Sequence, residues 1–316
     1  MYEAAIDIGT NTMLMLVADI SYEANSSRLR RIGEVVEDHI DFVRLGQGVH
    51  QNRSFAPEAM QRSLKCFHKY KEICERRKVS KVHAVATSAS RDASNSKEFY
   101  DRVYSETGIR VQIIPGALEA RLSFLGGLLP FQKPKNSVIL DIGGGSTEFV
   151  AFSEKNQDVY GQSVDIGSVR ATEMFLKENP YKKSSLEAME RHLKQLWQGI
   201  DLSLQLELRQ KEWTGIAGTP TTLAGISLGL QTFDAKRIDG YRLDRCMVGD
   251  LYESLAIQTQ AQRAAHPLMG TGRADIMVAG VAVLYTAMEF FGKPDIIISS
   301  RGLRHGVLLE PPTGLS

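Results

Sequence analysis

The sequence predicts an α/β fold built as two domains. The chain has 316 residues, of which 43% are hydrophobic, and this is enough to bury two cores. Short apolar runs typical of buried strands alternate with segments in which apolar residues recur at helical spacing. One strand-and-turn pattern occurs twice, and its two aspartates, Asp7 and Asp141, lie 134 residues apart, as expected for a duplicated α/β unit.

The first half of the chain contains the strand and helix patterns in alternation. Apolar runs predict a strand pair around a short turn and two later buried strands, at 3–9, 13–20, 82–87 and 109–114. A stripe of Met60, Leu64 and Phe67 predicts a helix over 57–74. A second helix is predicted over 96–106, because Gly108 is well placed to end it.

The second half begins with strands and continues mainly as helices. Strands are predicted at 138–143, 148–152, 159–166 and 213–217, and long amphipathic helices at 184–210 and 273–291. The polar, turn-rich segment 229–249 is expected to be a mobile surface loop. Glycines and prolines cluster at 126–136, which is the predicted domain boundary.

Charge, signal and cysteine patterns limit which partners, locations and metal sites are expected for the chain. Lys and Arg number 38 and Asp and Glu 37, so a net charge of +1 gives no overall attraction for nucleic acid polymers or anionic membranes. The start lacks a basic signal-peptide region and no apolar run reaches about 18 residues, so a cytoplasmic location is expected. The cysteines, Cys66, Cys74 and Cys246, are too scattered for a disulfide framework or zinc site and are expected to be buried.

The duplicated pattern is the main functional signal. Residues 6–12 read IDIGTNT and residues 140–147 read LDIGGGST. An aspartate at a strand end, followed by glycine and hydroxyl residues, forms a turn whose backbone N–H groups can point at one anion. Two such turns could clamp a phosphate chain from both sides, although the first alone is also a plausible hairpin turn. The predicted phosphate-binding residues of the two turns are Gly9, Thr10, Asn11, Thr12, Gly143, Gly144, Gly145, Ser146 and Thr147.

Seven motifs together resemble the Ppx/GppA phosphatases, the exopolyphosphatases and guanosine pentaphosphate phosphatases. Besides the two turns they are TSASRDASN (87–95), PGALEARLSFLGG (115–127), AGTPTTLAG (217–225), GRADIMVAGVAVL (272–284) and SSRGLRHG (299–306). The resemblance covers nearly the whole chain. It implies two ribonuclease-H-like domains of the actin, hexokinase and heat-shock ATPase superfamily with an interdomain cleft. The expected domains are 1–126, with the C-terminal segment 301–316 as a candidate to complete it, and 127–300.

Glu119 is the predicted catalytic residue. Water attacking a terminal phosphoryl group needs a base or a positioning group, and a carboxylate suits both tasks. Glu119 matches the family's catalytic glutamate and should lie near the start of the helix after strand 109–114. The alternative is a surface acid favoured by the helix dipole. Many family members carry another acid just before this glutamate, where this chain has Leu118, so a less negative site that holds metal differently is expected.

A magnesium site is predicted at Asp141 and Glu148, with Asp7 as a further candidate ligand. The seven-residue separation of Asp141 and Glu148 places them on adjacent strands, and oxygen ligands of this kind suit Mg²⁺. A charge on an apolar strand is costly unless it is paired or metal-bound. The alternative is structural, with Asp141 capping its turn and Glu148 paired to an arginine.

Cationic and main-chain groups should complete the site. Arg91 matches the family arginine that reaches the phosphates, and its alternative is a loop salt bridge with Asp92. Gly218 and Thr219 begin a helix, where backbone N–H groups can bind an anion. Arg301 and Arg304 near the C-terminus are further sources of positive charge. Basic residues in 229–249, which are Lys236, Arg237, Arg242 and Arg245, could line a distal path.

The predicted function is hydrolysis of a terminal phosphoanhydride, releasing orthophosphate from inorganic polyphosphate, the γ-phosphate from pppGpp, or both. The resemblance implies Mg²⁺-assisted attack of water positioned by Glu119. Two alternatives stay open: a kinase or ATPase of the same superfamily, and a noncatalytic polyphosphate or alarmone sensor. The chain has no GxxxxGK[ST] or HExxH motif. A homodimer is expected as the commonest state of soluble enzymes.

Overall fold

The computed structural model describes residues 1–23, 26–131, 134–153 and 158–312. Its strands in chain order are β1 Tyr2–Ile8, β2 Met13–Glu23, β3 Ser26–Asp41, β4 Lys81–Ala86, β5 Val111–Ile113, β6 Ser137–Ile142, β7 Thr147–Ser153, β8 Asp158–Val164, β9 Glu212–Ile216, β10 Arg242–Asp244 and β11 Asp295–Ile298. Its helices are α1 Val49–Asn52, α2 Pro57–Arg76, α3 Ser88–Asp92, α4 Ser96–Thr107, α5 Gly116–Gly127, α6 Ser168–Phe175, α7 Lys183–Gln198, α8 Leu202–Gln210, α9 Gly218–Ser227, α10 Ala235–Ile238, α11 Arg245–Ile257, α12 Gln260–Ala264, α13 Gly270–Arg273, α14 Met277–Phe291 and α15 Leu303–Leu309.

The chain divides into two compact units. Unit 1 holds residues 1–126 and the helix that follows Gly302, and unit 2 holds Gly127–Arg301. Gln132 and Lys133 of the predicted boundary stretch, and residues 313–316 of the predicted C-terminal segment, lie outside the described residues. Each unit has its own sheet and its own core.

The sheet of unit 1 has the strand order β3-β2-β1-β4-β5. The strands β3, β2 and β1 pair antiparallel, whereas β1, β4 and β5 pair parallel. β1 is apolar on both sides because both faces of the sheet are covered: Ile6 packs in one core with Phe67 of α2, and Ala5 packs in another with Val307 of α15. The predicted strand pair at the start of the chain is confirmed.

The sheet of unit 2 repeats this order. Its strands run β10-β11-β9-β6-β7-β8, with β6, β7 and β8 antiparallel and β6, β9 and β11 parallel. The added strand β10 pairs antiparallel with β11 at the edge. Two α/β units that share three antiparallel strands followed by parallel crossovers confirm the predicted ribonuclease-H-like fold class.

The core of unit 2 contains an aromatic cluster. Phe149 of β7 makes edge contacts with Trp197, Trp213 and Phe291, at centroid separations of 5.3, 5.9 and 5.7 Å. Helix α14 lies against this core, and nearly all its residues are buried. Gly280 lets α14 pack closely against Thr219, because a methyl group built there would overlap the Thr219 hydroxyl.

Three predictions for unit 2 were wrong in detail. The predicted helix 184–210 is two helices, because Asp201 accepts hydrogen bonds from Ser203 N and Leu204 N and begins α8. The predicted helix 273–291 begins at Met277, after the short helix α13. The segment 229–249, expected to be a surface loop, contains α10, β10 and the start of α11.

The three cysteines differ in their exposure to solvent. Cys66 is buried as expected, Cys74 is half-buried, and Cys246 is exposed, which corrects the prediction for Cys246. Within the described ranges, no helix has both the length and the apolar content needed to cross a membrane.

Candidate active site

The two glycine turns are closed by the same hydrogen bond. Gly9 N donates to Thr12 O at 3.0 Å, and Gly143 N donates to Ser146 O at 3.0 Å. A methyl carbon on Gly9 would lie 3.3 Å from Thr12 O, and one on Gly143 would lie 3.2 Å from Ser146 O. Both turns are therefore too tight for a larger residue at this position without adjustment.

Helix α6 fixes the orientation of the turn in unit 2. Ser168 N donates to Gly143 O at 3.0 Å, and Val169 N donates to Gly144 O at 2.9 Å. In a trans peptide the C=O and N–H groups point in opposite directions. Because the carbonyls of Gly143 and Gly144 face α6, the N–H groups of Gly144 and Gly145 point away from it. These N–H groups are oriented as an anion-binding turn requires.

The turn in unit 1 is oriented in the same way by a different segment. Gly46 N donates to Thr10 O at 2.8 Å, and Arg44 N donates to Asn11 O at 2.9 Å. By the same peptide geometry, the N–H groups of Asn11 and Thr12 point away from this segment. Gly46 is required because a methyl carbon there would lie 2.5 Å from Thr10 Cγ2.

Asp141 and Glu148 are directly opposite each other on β6 and β7. Opposite residues of an antiparallel pair project to the same face, and like charges placed there repel. Glu148 is 1% exposed, and its Oε1 accepts a 2.7 Å hydrogen bond from Ser163 Oγ on β8. The predicted placement of the two carboxylates on adjacent strands is confirmed.

The chemistry of this carboxylate pair fits Mg²⁺. Mg²⁺ is commonly bound by one or two carboxylates together with water and substrate phosphates, and a divalent cation would offset the repulsion between Asp141 and Glu148. In the described part of the chain, no three His, Cys, Asp or Glu side chains cluster as a metal site. Asp7 differs from Asp141, because its opposite residue on β2 is Leu14.

Glu119 lies in the first turn of α5, directly after β5, as predicted. Its side chain is not at the surface, because the residue is 7% exposed, which rules out the alternative of a surface acid. Burial raises the pKa of Glu119, while the nearby Arg91 charge and hydrogen bonds from Arg91 and Thr87 oppose this rise. Leu118, in the place of the family's second acid, packs against the buried cluster that includes Leu122 and Val307.

Arg91 is the partner of Glu119. It lies in α3, and its Nη1 donates to Glu119 Oε2 at 2.7 Å and to Ile114 O at 3.0 Å. The ion-pair partner of Arg91 is Glu119 and not the adjacent Asp92, which lies 3.9 Å from Arg53. The structure thus brings the predicted catalytic acid and the predicted phosphate-binding arginine together.

The third turn, at the start of α9, is held by a residue that the sequence did not single out. Arg273 Nη1 donates to Gly218 O at 3.0 Å and also bonds the Thr222 hydroxyl. Burial lowers the pKa of Arg273 to about 10. Thr219 is buried with its hydroxyl against Gly280. The preceding Ala217 has φ 68°, an uncommon conformation for alanine that is often found at functional sites.

The candidate residues share one edge in each unit. Carboxyl ends of parallel strands meet at the same edge of a sheet, where α/β proteins commonly bind ligands. In unit 1 this edge follows β1, β4 and β5 and carries the first turn, Arg91 and Glu119. In unit 2 it follows β6, β9 and β11 and carries the second turn, Gly218 and Arg301.

Two of the other basic residues have partners in the protein. Arg304 is 7% exposed, and its Nη2 pairs with Asp38 at 3.1 Å within unit 1. Arg242 pairs with Asp295 at 2.6 Å and with Glu212 at 3.1 Å. Asp295 and Glu212 begin their strands, so Arg242 is engaged away from the candidate edge.

Comparison with known proteins places these features in one family. The sequence profile of the Ppx/GppA phosphatase family matches residues 27–311. Exopolyphosphatase 2 of Mycobacterium tuberculosis is 34% identical over 325 residues, which cover 97% of this chain and 97% of that protein. A bifunctional 3-dehydroquinate synthase/phosphatase of Fusobacterium nucleatum is 31% identical over 97% of this chain, and this chain spans 46% of its length.

A solved structure agrees with the sequence relatives. The crystal structure of an exopolyphosphatase from Cytophaga hutchinsonii is similar with a TM-score of 0.84 and 28% identity. The match covers 98% of this chain and 96% of that chain. The chain therefore belongs to the Ppx/GppA phosphatase family and is a phosphoanhydride hydrolase.

Proposed function

We propose that this protein is an exopolyphosphatase-type enzyme that releases terminal orthophosphate from inorganic polyphosphate, with Glu119 positioning the attacking water. The main support is the buried Glu119 carboxylate, paired at 2.7 Å with Arg91 at the strand edge that also carries the first glycine turn. A buried acid beside a phosphate-type turn combines the two parts that phosphoryl transfer to water requires.

The proposed reaction is a direct displacement. A water oxygen forms a bond to the terminal phosphorus as the bridging P–O bond breaks, and the bridging oxygen leaves with the shortened chain. The ionised Glu119 carboxylate orients the water and accepts its proton. Burial makes Glu119 a stronger base than an exposed glutamate, since its pKa is raised.

Arg91 and the turns bind the substrate in this proposal. The Arg91 guanidinium holds the Glu119 carboxylate and offers its remaining N–H groups to phosphate oxygens. The oriented N–H groups of Asn11, Thr12, Gly144 and Gly145 bind phosphate oxygens without themselves carrying charge. Gly218 is a further phosphate-binding candidate at the candidate edge of unit 2.

Asp141 and Glu148 would hold Mg²⁺, with Asp7 as a further candidate ligand in unit 1. When bound, the cation would neutralise negative charge on the phosphate oxygens. The Ser163 hydroxyl fixes the Glu148 carboxylate in place for this task.

pppGpp is the second proposed substrate, because the family includes guanosine pentaphosphate phosphatases and the reaction at its terminal phosphate is the same. A kinase or ATPase would instead require ATP and release ADP with a phosphorylated acceptor. A sensor would bind polyphosphate without turnover. The homodimer and the cytoplasmic location stay predictions. Analytical ultracentrifugation would check whether the protein is a homodimer.

The test compares phosphate release from long polyphosphate, pppGpp and ATP, each with Mg²⁺. The native protein should act on at least one of the first two substrates. Glu119→Gln should lose about 10²–10⁴-fold in kcat, the usual contribution of a positioned acid or base. Glu98→Gln is the matched control, since Glu98 is also an acid in the first turn of a unit 1 helix but is exposed. Equal rates for native and Glu119→Gln proteins would remove Glu119 from the mechanism.

A further inference from the structure

The third parallel strand of unit 2, β11, is followed by a segment that has no role in the proposed reaction. Ser299–Arg301 directly follows β11, and Ser299 N donates to Gly215 O at 3.0 Å near the end of β9. The segment therefore lies at the same sheet edge as the second glycine turn and Gly218. Arg301 is the basic residue at this position.

Asp239 holds Arg301 and the backbone beside it. Ser300 N donates to Asp239 Oδ1 at 2.6 Å, and Arg301 Nε lies 3.7 Å from Asp239 Oδ2. Arg301 N donates to Ser299 Oγ at 3.2 Å. The Asp239 side chain is 18% exposed and the Arg301 side chain is 40% exposed, so the carboxylate is the inner member of the pair. An arginine fixed by a single carboxylate still presents several N–H donors.

The segment that carries Asp239 is anchored to β11. Gly240 N donates to Ile298 O at 2.8 Å, and Ile298 N donates to Tyr241 O at 2.9 Å. These bonds place Asp239 at the carboxyl end of β11. Arg245 lies at the other end of β11, because its backbone N–H donates to Pro294 O. Of the basic residues in 229–249, the exposed Lys236 and Arg237 are thus nearer to the candidate edge.

The spacing of the strands indicates which part of a substrate Arg301 can reach. β11 and β6 are separated by β9, and neighbouring strands lie about 4.8 Å apart, so Arg301 follows a strand about 10 Å from the one that carries the glycine turn. This distance exceeds the length of one phosphate unit. Arg301 is therefore placed to contact a phosphate farther along a chain than the phosphate held by the turn.

We propose that Arg301 binds an internal phosphate of a polyphosphate chain and favours long chains over short ones, with Asp239 as its positioning residue. The inference rests on the proposed function, because it assumes that the turn of unit 2 holds the terminal part of the chain. Arginine suits this role because its planar guanidinium can donate two parallel hydrogen bonds to phosphate oxygens.

The test measures kcat and KM for long-chain polyphosphate and for tripolyphosphate. Arg301→Gln should raise KM for the long chain about tenfold, the size of one charge-assisted hydrogen bond, and leave kcat and the tripolyphosphate KM nearly unchanged. Arg301→Lys should recover part of the loss. Asp239→Asn, which keeps the acceptor for Ser300 N but removes the charge, should raise the long-chain KM by a smaller factor. Arg242→Gln is the matched control, since Arg242 is engaged elsewhere in unit 2.

Equilibrium binding of long-chain polyphosphate to the native and Arg301→Gln proteins separates this inference from the proposed function. If the native protein binds the chain without turnover, the proposed function fails, but a tenfold weaker binding by Arg301→Gln still supports the inference. Equal binding and equal KM values in the native and Arg301→Gln proteins would overturn it. An equal loss for tripolyphosphate would also overturn it, because Arg301 would then contact the terminal phosphates.

Discussion

Replacing Arg91 by glutamine should shift the pH dependence of catalysis. Arg91 is the cation in contact with Glu119, at 2.7 Å, and its charge and hydrogen bond both lower the pKa of that buried carboxyl. Removing an adjacent opposite charge typically raises the pKa of an acid by about 1–3 units. In Arg91→Gln, burial would still raise the pKa of Glu119, and the Thr87 hydrogen bond would still lower it.

The sign of the effect follows from the form of Glu119 that acts. The proposed reaction requires the ionised Glu119 carboxylate, and the pKa of Glu119 in the folded protein is already above the ordinary value of 4.5. Activity should therefore appear as pH rises through this raised pKa, and the acid limb for Arg91→Gln should lie about 1–3 units higher than for the native enzyme. Because a raised folded pKa favours the protonated state, Arg91→Gln should also lose stability relative to the native protein as pH rises.

The assay is kcat/KM for polyphosphate against pH at fixed Mg²⁺, for the native enzyme, Arg91→Gln, Arg91→Lys and Arg53→Gln. Arg91 has two proposed roles, contact with phosphate and lowering of the Glu119 pKa. Loss of the phosphate contact lowers the maximal kcat/KM without moving the acid limb of the pH profile, so the assay separates the two roles. Arg91→Lys retains the charge and should shift the limb less. Arg53 pairs with Asp92 instead, so Arg53→Gln should leave the limb in place. An unmoved acid limb in Arg91→Gln would refute the coupling between Arg91 and Glu119.

Two further predictions concern the metal and the fold. Glu148→Gln should raise the Mg²⁺ concentration needed for half-maximal phosphate release at least tenfold. Glu187 is exposed, so Glu187→Gln is the control and should leave this concentration unchanged. Equal Mg²⁺ titrations of the native and Glu148→Gln proteins would exclude Glu148 as a ligand. Gly306→Ala should destabilise the protein by about 1–3 kcal/mol in thermal or urea unfolding, because its methyl group would overlap Leu122 O where α15 crosses α5. Gly199→Ala, whose nearest contact would be 3.4 Å away, is the control, and equal unfolding midpoints for the two variants would contradict the packing argument.

The sequence predicted most strands from short apolar runs and missed β3, β10 and β11. β1, β4 and β6 are short apolar runs, and these patterns are local. β3 is a 16-residue strand with many charged side chains, including Glu37, which pairs with Arg76 at 3.0 Å and with Arg77 at 2.7 Å. Its pairing with β2 and its ion pairs with α2 are non-local, so apolar alternation within β3 could not reveal it.

Helix boundaries failed where periodicity continued across a break. The apolar stripe of α7 resumes in α8, so 184–210 had the pattern of one helix. The available signal was Asp201, two residues before Ser203, as an N-cap. The same rule would have divided the segment 229–249, where Asp234 and Asp244 cap α10 and α11.

Site residues were predictable where a motif contains its own chemistry and not where a distant residue completes it. The glycine turns could be predicted because each motif supplies its own N–H groups, and Glu119 was predicted from the resemblance of its motif to the family. Arg273 holds the Gly218 turn from 55 residues away, and Asp239 holds Ser300 from 61 residues away. Contacts at this separation depend on strand order, which apolar periodicity does not specify.

The two units have the same strand arrangement but differ in the side chains at equivalent positions. Asp7 and Asp141 hold equivalent positions, but Leu14 is opposite the first and Glu148 is opposite the second, so the carboxylate pair is complete only in unit 2. At the ends of the second and third parallel strands, unit 1 carries Arg91 and Glu119, whereas unit 2 carries Gly218 and Arg301. Unit 1 thus has the buried Glu119 carboxylate, and unit 2 has the Asp141–Glu148 pair and Arg301.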